Sequence, residues 1–487
     1  MEILPSARAI VRVRLVATWH WPVLTAMLVL AALALGWIGY AASDDAAYYL
    51  AARHWLVAPP FAGHDHWATR FPLVIGLAAA MRVIGEGAAA LTLVALSWYA
   101  AFLIAVHALA ARIGGARAGW IATILLATMP VVVANATTAS CDLTEATFLL
   151  VGILLIGDCA ATRDATTRRA VGAGLAFGTA ILCRETTALA LLGFVPLFML
   201  GRPVPRRAMI AMGLASAILL AGEALFQWLA TGHALNRWDV AFHHDSHIDR
   251  AANLEGNVLV HPAIDPLLVL LVNDDFALIF WLAIAAVALR VDRMLAVPAR
   301  RRMTILVALG LATFLLVGAL YTRLVLNPRY FMLPAIGAAV AVAVWLDHAS
   351  MRVRAAVLTV AIATNLLMLS IENTHSRWAA QALVTAARSL PTTPIVTDAA
   401  TYHRALMPIA WNRLSMVEQD EPRPGALYFL PDDHIPVHAT IVSRYPSPRT
   451  PLGAVLDDLG IARFVPASIR RRLLAPNPTA SLVRVAG

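Results

Sequence analysis

Lysine is absent from this sequence. All 38 basic residues among the 487 are arginine, so the formal charge of +9 cannot be relieved by deprotonation near neutral pH. Charge of either sign is scarce: 14% of the residues are charged and 60% are hydrophobic. That balance excludes an ordinary soluble globular protein and predicts a polytopic α-helical membrane protein. Cysteine is nearly missing too. Cys141, Cys159 and Cys183 fall in apolar segments without C-x-x-C spacing, which excludes a thiolate metal or redox site and predicts no disulfide. No basic run carries interleaved aromatics, so nucleic acid is not expected as a partner. An arginine- and alanine-rich chain without lysine points to a GC-rich bacterial genome.

Long apolar runs are what the chain has in abundance. Runs near 21–42, 86–111, 118–137, 142–160, 208–230, 274–290, 303–322, 330–346 and 355–371 each approach the roughly twenty residues that cross a bilayer core. The first is longer than the apolar core of a secretory signal and is expected to stay as an uncleaved anchor. Arginines at 8–14, 112–117, 163–169, 202–207, 290–302 and 352–354 mark cytoplasmic segments under the positive-inside rule, with the N-terminus inside. Between two of these basic loops, residues 170–200 must leave the cytoplasmic side and return. Each arm has about fifteen residues and reaches only about 22 Å, so the turn at Arg184 and Glu185 is expected to stop within the membrane, in a polar cavity. With both arms counted, about eleven transmembrane helices are expected.

The predicted transmembrane domain covers 1–371, with long outer loops at 43–85 and 231–273. Within the first loop, "FPLVIGLAAAMRVIG" is too short to span and predicts an interfacial helix. Residues 372–487 are charged and proline-rich, with strand-like runs "PIVTD", "ALYFL" and "SLVRVA". They predict a small α/β domain on the outer, periplasmic side of a bacterial inner membrane.

Outside this tail, the unusual polar groups map to one side of the membrane. Asp44 and Asp45 follow the first span, Asp142 and Glu145 open the fourth, Arg184 and Glu185 cap the short hairpin, and "NPRY" with Arg329 and Tyr330 precedes the tenth. Separately, each has a bland explanation. The Asp pair or Ser43 could cap a helix, Asp142 and Glu145 have capping-box spacing, Arg184 and Glu185 could be a buried ion pair, and "NPRY" could start an interfacial helix. Together they suggest an outward-facing site where carboxylates and arginines meet a charged substrate. Histidines in "HDH", 64–66, and "HHDSH", 243–247, match no specific metal signature.

The run "DDAAYYLAARHWL", 44–56, resembles the first outer loop of the GT-C membrane glycosyltransferases, especially bacterial relatives of protein O-mannosyltransferases and of the lipid A aminoarabinose transferase. "TRFPLVIGLAAAMRVIGEG", "CRETTALALLGFVPL" and "NPRYFMLPAIGA" resemble, in order, that family's interfacial helix, short hairpin and Arg-Tyr-x-x-x-Pro segment. The resemblance implies inverting transfer of a sugar from a polyprenyl-phosphate carrier to an acceptor hydroxyl at the periplasmic face. Asp44 then aligns with the general base and Asp45 replaces the usual Glu beside it. Arg184, Arg329 and Tyr330 would hold the donor phosphate, while Asp142 and Glu145 would orient base or acceptor, or hold a divalent cation. Tyr48, His64, His66, Arg70 and Glu185 are expected as substrate contacts. The sugar is open, and lipid, glycan and protein acceptors all remain open.

The alternative is a transporter or flippase for a lipid-linked or anionic solute, against which the missing two-fold repeat and the one-sided charges weigh. A catalytically silent scaffold is a third reading.

Overall fold

The structure is a computed structural model. It describes residues 7–162, 167–244, 259–320, 326–372, 378–420, 427–435 and 438–485, with side chains from residue 20 onward. His247 and the rest of 245–258 in the second outer loop lie outside the described residues.

In chain order the helices are α1 (Ala7–Gly36), α2 (Asp44–Val57), α3 (Phe71–Ile84), α4 (Ala88–Gly114), α5 (Ala116–Ala127), α6 (Pro130–Thr137), α7 (Cys141–Thr162), α8 (Thr167–Cys183), α9 (Thr187–Leu191), α10 (Phe194–Leu200), α11 (Arg206–Thr231), α12 (Asn236–His244), α13 (Asp265–Val272), α14 (Ile279–Ala288), α15 (Val297–Leu320), α16 (Met332–His348) and α17 (Met351–Glu372). Among the described residues, six segments are long and apolar enough to cross a membrane, and a seventh if the bent pair α5–α6 is one span. This is a multi-pass membrane protein. Of the remaining four expected crossings, the first run lies in α1, and the two hairpin arms and the run at 274–290 form helices of fewer than 18 residues. The run at 274–290 yields only the ten residues of α14, because Asn273, Asp274 and Asp275 form a turn in which Asn273 Oδ1 accepts from the Asp275 amide at 2.9 Å.

The run at 118–137 is not one straight rod. Pro130 has no amide to donate and crowds the preceding turn, and α5 and α6 meet there at 70°. The broken ladder is repaired from elsewhere: the Val131 amide donates to Asp275 O at 3.2 Å, and Asn365 Nδ2 on α17 donates to Leu125 O at 3.3 Å and to Thr128 Oγ1 at 2.9 Å.

The chain sorts into two compact units. One comprises Met1–Ala34, Trp98–Val133 and Cys141–Leu366; the other comprises Leu35–Ser97, Ala134–Ser140 and Leu367–Gly487. These units group residues differently from the sequence boundary at 371, since the first outer loop shares a unit with the chain's C-terminal part.

In the first unit, the short hairpin forms from α8 and α9–α10, with its break at Arg184–Glu185. It is held by close backbone approach, the device that helices use in lipid, where apolar side chains gain little from meeting one another. A Cβ at Gly174 of α8 would lie 2.1 Å from Met212 O of α11, and Ser216 Oγ donates to Gly174 O at 2.7 Å. On the other arm, a Cβ at Gly193 would lie 2.6 Å from Ala308 O of α15. Phe177 and Phe194 meet edge to face across the arms, their centroids 5.5 Å apart.

In the second unit, the C-terminal part comprises α18 (Trp378–Ser389), β1 (Ile395–Thr397), α19 (Ala399–Trp411), β2 (Val417–Gln419), β3 (Leu427–Pro431), β4 (Ala439–Tyr445), α20 (Pro451–Asp458), α21 (Ala467–Leu474) and β5 (Ala480–Val485). The five strands form one mixed sheet in the order β2-β1-β3-β5-β4, with β1 parallel to β2 and β3, and β5 antiparallel to β3 and β4. Alternation in β3 sends Leu427 and Phe429 toward the core under α18 and α19, and Tyr428 and Leu430 to the opposite face. Helix α19 also packs on the chain around the start of α2: the Trp411 ring sits 5.1 Å from Tyr40 and 5.2 Å from Tyr49, both edge to face.

Candidate active site

The first unit carries a buried charge cluster where the hairpin turn meets the starts of α7 and α16. Arg184 follows the last residue of α8 and is 3% exposed. Its guanidinium is ion-paired with Asp142, lies 3.8 Å from a Glu145 oxygen, and stacks 4.3 Å from the Tyr330 ring centroid. Thr187, the first residue of α9, donates to Glu145 Oε1 at 2.5 Å. Asp142 and Glu145 thus turn their carboxylates to the hairpin across one helical turn, the i, i+3 spacing that the sequence shares with a capping box.

Arg329 approaches the same cluster from a 3-10 turn at Pro328–Phe331, whose start is capped by Asn327 Oδ1 accepting from the Arg329 amide at 3.1 Å. One Arg329 guanidinium nitrogen lies 4.0 Å from Asp142, and its side chain is 31% exposed against 4% for Arg184. Asp142, Glu145, Arg184, Thr187, Arg329 and Tyr330 line a crevice of about 30 Å³. Against α15 and α16 lies a much larger apolar cavity of about 600 Å³, lined by Leu311, Phe314, Leu333 and Pro334 among others. Leu333 lines both, so the charged crevice and the apolar cavity are neighbours.

Glu185 is not the partner of Arg184. It pairs with Arg237 at 2.7 Å, and Arg237 is fully buried, donating also to the carbonyls of Ile181 and Leu182 at 3.0 Å each. Arg237 thereby satisfies carbonyls left open at the end of α8. The sequence reading missed it because its partners lie more than fifty residues away; an arginine in an expected outer loop, against the positive-inside trend, was the one available signal.

In the second unit, Asp44 is the first residue of α2 and half-buried, while Asp45 is 2% exposed. Asp45 accepts from the amides of Ala41, of Ser43 at 2.9 Å and of Ala46 at 3.0 Å. Its carboxylate therefore ties down the loop between α1 and α2, in which Ala42 has the left-handed φ of +54°. Ser43 makes no side-chain cap. Asp45 is expected beside Asp44 as a catalytic residue; in the structure its carboxylate accepts three backbone amides, which fixes its position at the start of α2.

Tyr48 and Arg70 face each other: the Arg70 guanidinium donates to the Tyr48 hydroxyl, and both are buried. His66 is buried against Trp67, with centroids 3.9 Å apart, and His64 is exposed beside Phe61. Between them Asp65 accepts from the Ala68 amide at 2.7 Å, an Asx-type turn that uses the acid of "HDH" locally. His243 is exposed and pairs with Asp239 on its own helix at 3.3 Å. Among the described residues, no three His, Cys, Asp or Glu side chains converge as a metal site.

The second unit also holds a cavity of about 560 Å³ that sequence reasoning did not foresee. Its walls come from residues 37–45, the start of α4, residues 137–139, α18 and α19.

Residues 71–229, well under half of the chain, match the family model described as dolichyl-phosphate-mannose-protein mannosyltransferase. No curated protein sequence matches the chain. Among solved structures, ArnT from Cupriavidus metallidurans in the apo state is similar at a TM-score of 0.55 and 13% identity, over 88% of this chain and 96% of that one. The same protein bound to undecaprenyl phosphate gives 0.55 and 14%, over 96% and 99%. The archaeal oligosaccharyltransferase AglB from Archaeoglobus fulgidus, in complex with an inhibitory peptide and a dolichol-phosphate, gives 0.53 and 13%, over 82% of this chain and 64% of AglB. At such identities the likeness is one of fold. The chain accordingly has the fold of the GT-C membrane glycosyltransferases and resembles ArnT and the mannosyltransferases.

Proposed function

We propose that the protein moves a sugar from a polyprenyl-phosphate carrier to an acceptor hydroxyl, with inversion, at the periplasmic face of a bacterial inner membrane. The observation that carries this reading is the charged crevice at Arg184 and Arg329 lying beside an apolar cavity of about 600 Å³, with Leu333 common to both. A polyprenyl phosphate has the same two parts, a small anion and a long hydrocarbon. The ArnT and AglB structures, which hold undecaprenyl phosphate and dolichol-phosphate respectively, support the assignment.

In this reading the acceptor oxygen attacks the anomeric carbon, the bond from that carbon to the phosphate oxygen breaks, and Asp44 takes the hydroxyl proton. The departing phosphate gains charge, which guanidinium groups stabilise by bidentate hydrogen bonds. Arg184 is prealigned by Asp142 and Tyr330, so little side-chain freedom is lost on binding. Arg329, the more exposed of the two, meets the phosphate first.

The reading assigns no divalent cation to transfer. Asp142 and Glu145, the carboxylates placed to hold one, already face the guanidinium of Arg184, and a second cation would be repelled there.

The test is turnover by the purified chain in nanodiscs with polyprenyl-phosphate sugars, followed as release of polyprenyl phosphate. Asp44→Asn should lower turnover by about 10²–10⁴-fold while undecaprenyl phosphate still binds. Near-wild-type turnover by Asp44→Asn would remove the base assignment, and failure of undecaprenyl phosphate to bind the wild-type chain would remove the donor.

A further inference from the structure

Asp158 is shared by arginines of three other helices. It lies on α7, pairs with Arg112 of α4 at 2.8 Å and with Arg302 of α15 at 3.2 Å, and has Arg169 of α8 at 4.0 Å. Arg302 is the inner member, its side chain 17% exposed. It also donates to Arg112 O at 3.0 Å, and Gly157 makes room for it, since a Cβ there would lie 3.2 Å from Arg302 Cγ. Arg112 and Arg169 form the outer pair, with side chains 47% and 48% exposed. Among the described residues, Asp158 is the only acid that pairs with any of the three. Three guanidinium groups against one carboxylate leave an excess of two positive charges. Elsewhere at this end of the bundle the charges balance: Arg117 pairs one to one with Asp347 at 3.2 Å.

The cluster sits at the far end of α7 from the Arg184 crevice, because Asp158 follows Asp142 by sixteen helical residues, or about 24 Å. This is the end that the positive-inside rule expects at the cytoplasm. On the same helices Ile104, Leu175 and Val307 are exposed apolar side chains, within about 12 Å along the axis of Arg112, Arg169 and Arg302 respectively. Basic groups that end a lipid-facing stretch lie at headgroup depth, where phosphates are, and the apolar side chains beside them face acyl chains. A guanidinium fork binds phosphate oxygens through paired N–H groups, and Arg112 spends one nitrogen on Asp158. A zwitterionic headgroup brings its own cation, which the excess positive charge repels. A net-negative phospholipid brings none.

We infer that Arg112 and Arg169, braced by Asp158 and Arg302, bind the phosphate of an anionic phospholipid at the end of the bundle opposite the donor crevice. A dissolved phosphate would meet the same guanidinium groups but none of the apolar side chains beside them. The site is independent of the transferase reading.

Native mass spectrometry of the full chain in detergent tests this, with phosphatidylglycerol, phosphatidylcholine and inorganic phosphate as probes. Phosphatidylglycerol should bind about tenfold or more tighter than phosphatidylcholine, as two arginines at a headgroup supply. The Arg112→Gln/Arg169→Gln variant should lose that preference. Arg202→Gln/Arg207→Gln, which removes the same charge at the junction of α10 and α11, should keep it. All four side chains are exposed, and Arg302 still holds Asp158, so thermal unfolding and undecaprenyl phosphate binding should stay at wild-type values in both variants. No preference in wild type, or a preference kept by the first variant, overturns the inference. Equal loss in both variants overturns it too, because the cause is then the summed positive charge of this end and not a built site. Inorganic phosphate displacing phosphatidylglycerol would give the arginines to a dissolved anion and remove the lipid. A photoactivatable phosphatidylglycerol reads the same site in the unsubstituted chain: labels on α4, α8 or α15 next to these arginines support it, and labels confined to other helices overturn it.

Discussion

Arg184 and Asp142, forty-two residues apart, form an ion pair in which neither side chain is more than 4% exposed. Such a pair stabilises little when whole, because both charges are desolvated, but removing one partner strands the other. Arg184→Ala should therefore cost about 3–5 kcal/mol of stability as well as donor affinity. Adding Asp142→Ala should recover much of the stability and none of the affinity. Thermal unfolding in detergent and undecaprenyl phosphate binding, measured on the three variants, check this; full affinity in the double variant would remove Arg184 from the phosphate site.

Asp44→Asn and Asp45→Asn should behave differently although the residues are adjacent. Asp44→Asn lowers turnover at unchanged stability. Asp45→Asn replaces one acceptor oxygen by an amide donor facing the same backbone N–H groups, and should cost about 1–3 kcal/mol with a smaller turnover loss. Equal stability of the two variants would contradict the positioning role of Asp45.

Gly174→Leu should prevent α8 from seating on α11, since even a Cβ at this position meets Met212 O. Gly213→Leu on α11 is the control, as nothing lies within 4 Å of its would-be Cβ. Expression of monodisperse protein separates them, and a well-behaved Gly174→Leu would show the helices further apart than described.

Asn365→Leu should destabilise the chain by about 1–3 kcal/mol, because the Leu125 carbonyl and the Thr128 hydroxyl then lose a donor at the Pro130 break. Unchanged unfolding temperature would mean that the break is stabilised otherwise. Separately, transfer should survive exhaustive chelation, measured as turnover after EDTA treatment; loss restored by added cation would overturn the metal-free reading.

The elements visible in the sequence are those set by local pattern. The hairpin turn falls at Arg184 and Glu185 because arm length alone dictated it, and β1, β3 and β5 lie in the three strand-like runs. Strand β2 has only three residues, and β4 is an edge strand with Ile441 and Val442 exposed, so neither shows a buried alternation. Hydropathy averaged over a window does not register Pro130 or the Asn273–Asp275 turn, and so it gives no sign that the run at 118–137 bends or that the run at 274–290 holds a helix of only ten residues. Charge partners are the least legible. Adjacent Arg184 and Glu185 suggested each other, whereas the fold gives the first to Asp142 and the second to Arg237.

The wedge of Trp411 between Tyr40 and Tyr49 orders events in time. Both tyrosines leave the ribosome hundreds of residues before Trp411 is made, so the face of α2 that carries Tyr49 waits, uncovered, until α19 is made. A nascent chain stalled before α19 would therefore expose aromatic surface that Trp411 otherwise covers, and truncation anywhere ahead of residue 411 would leave it in that state permanently.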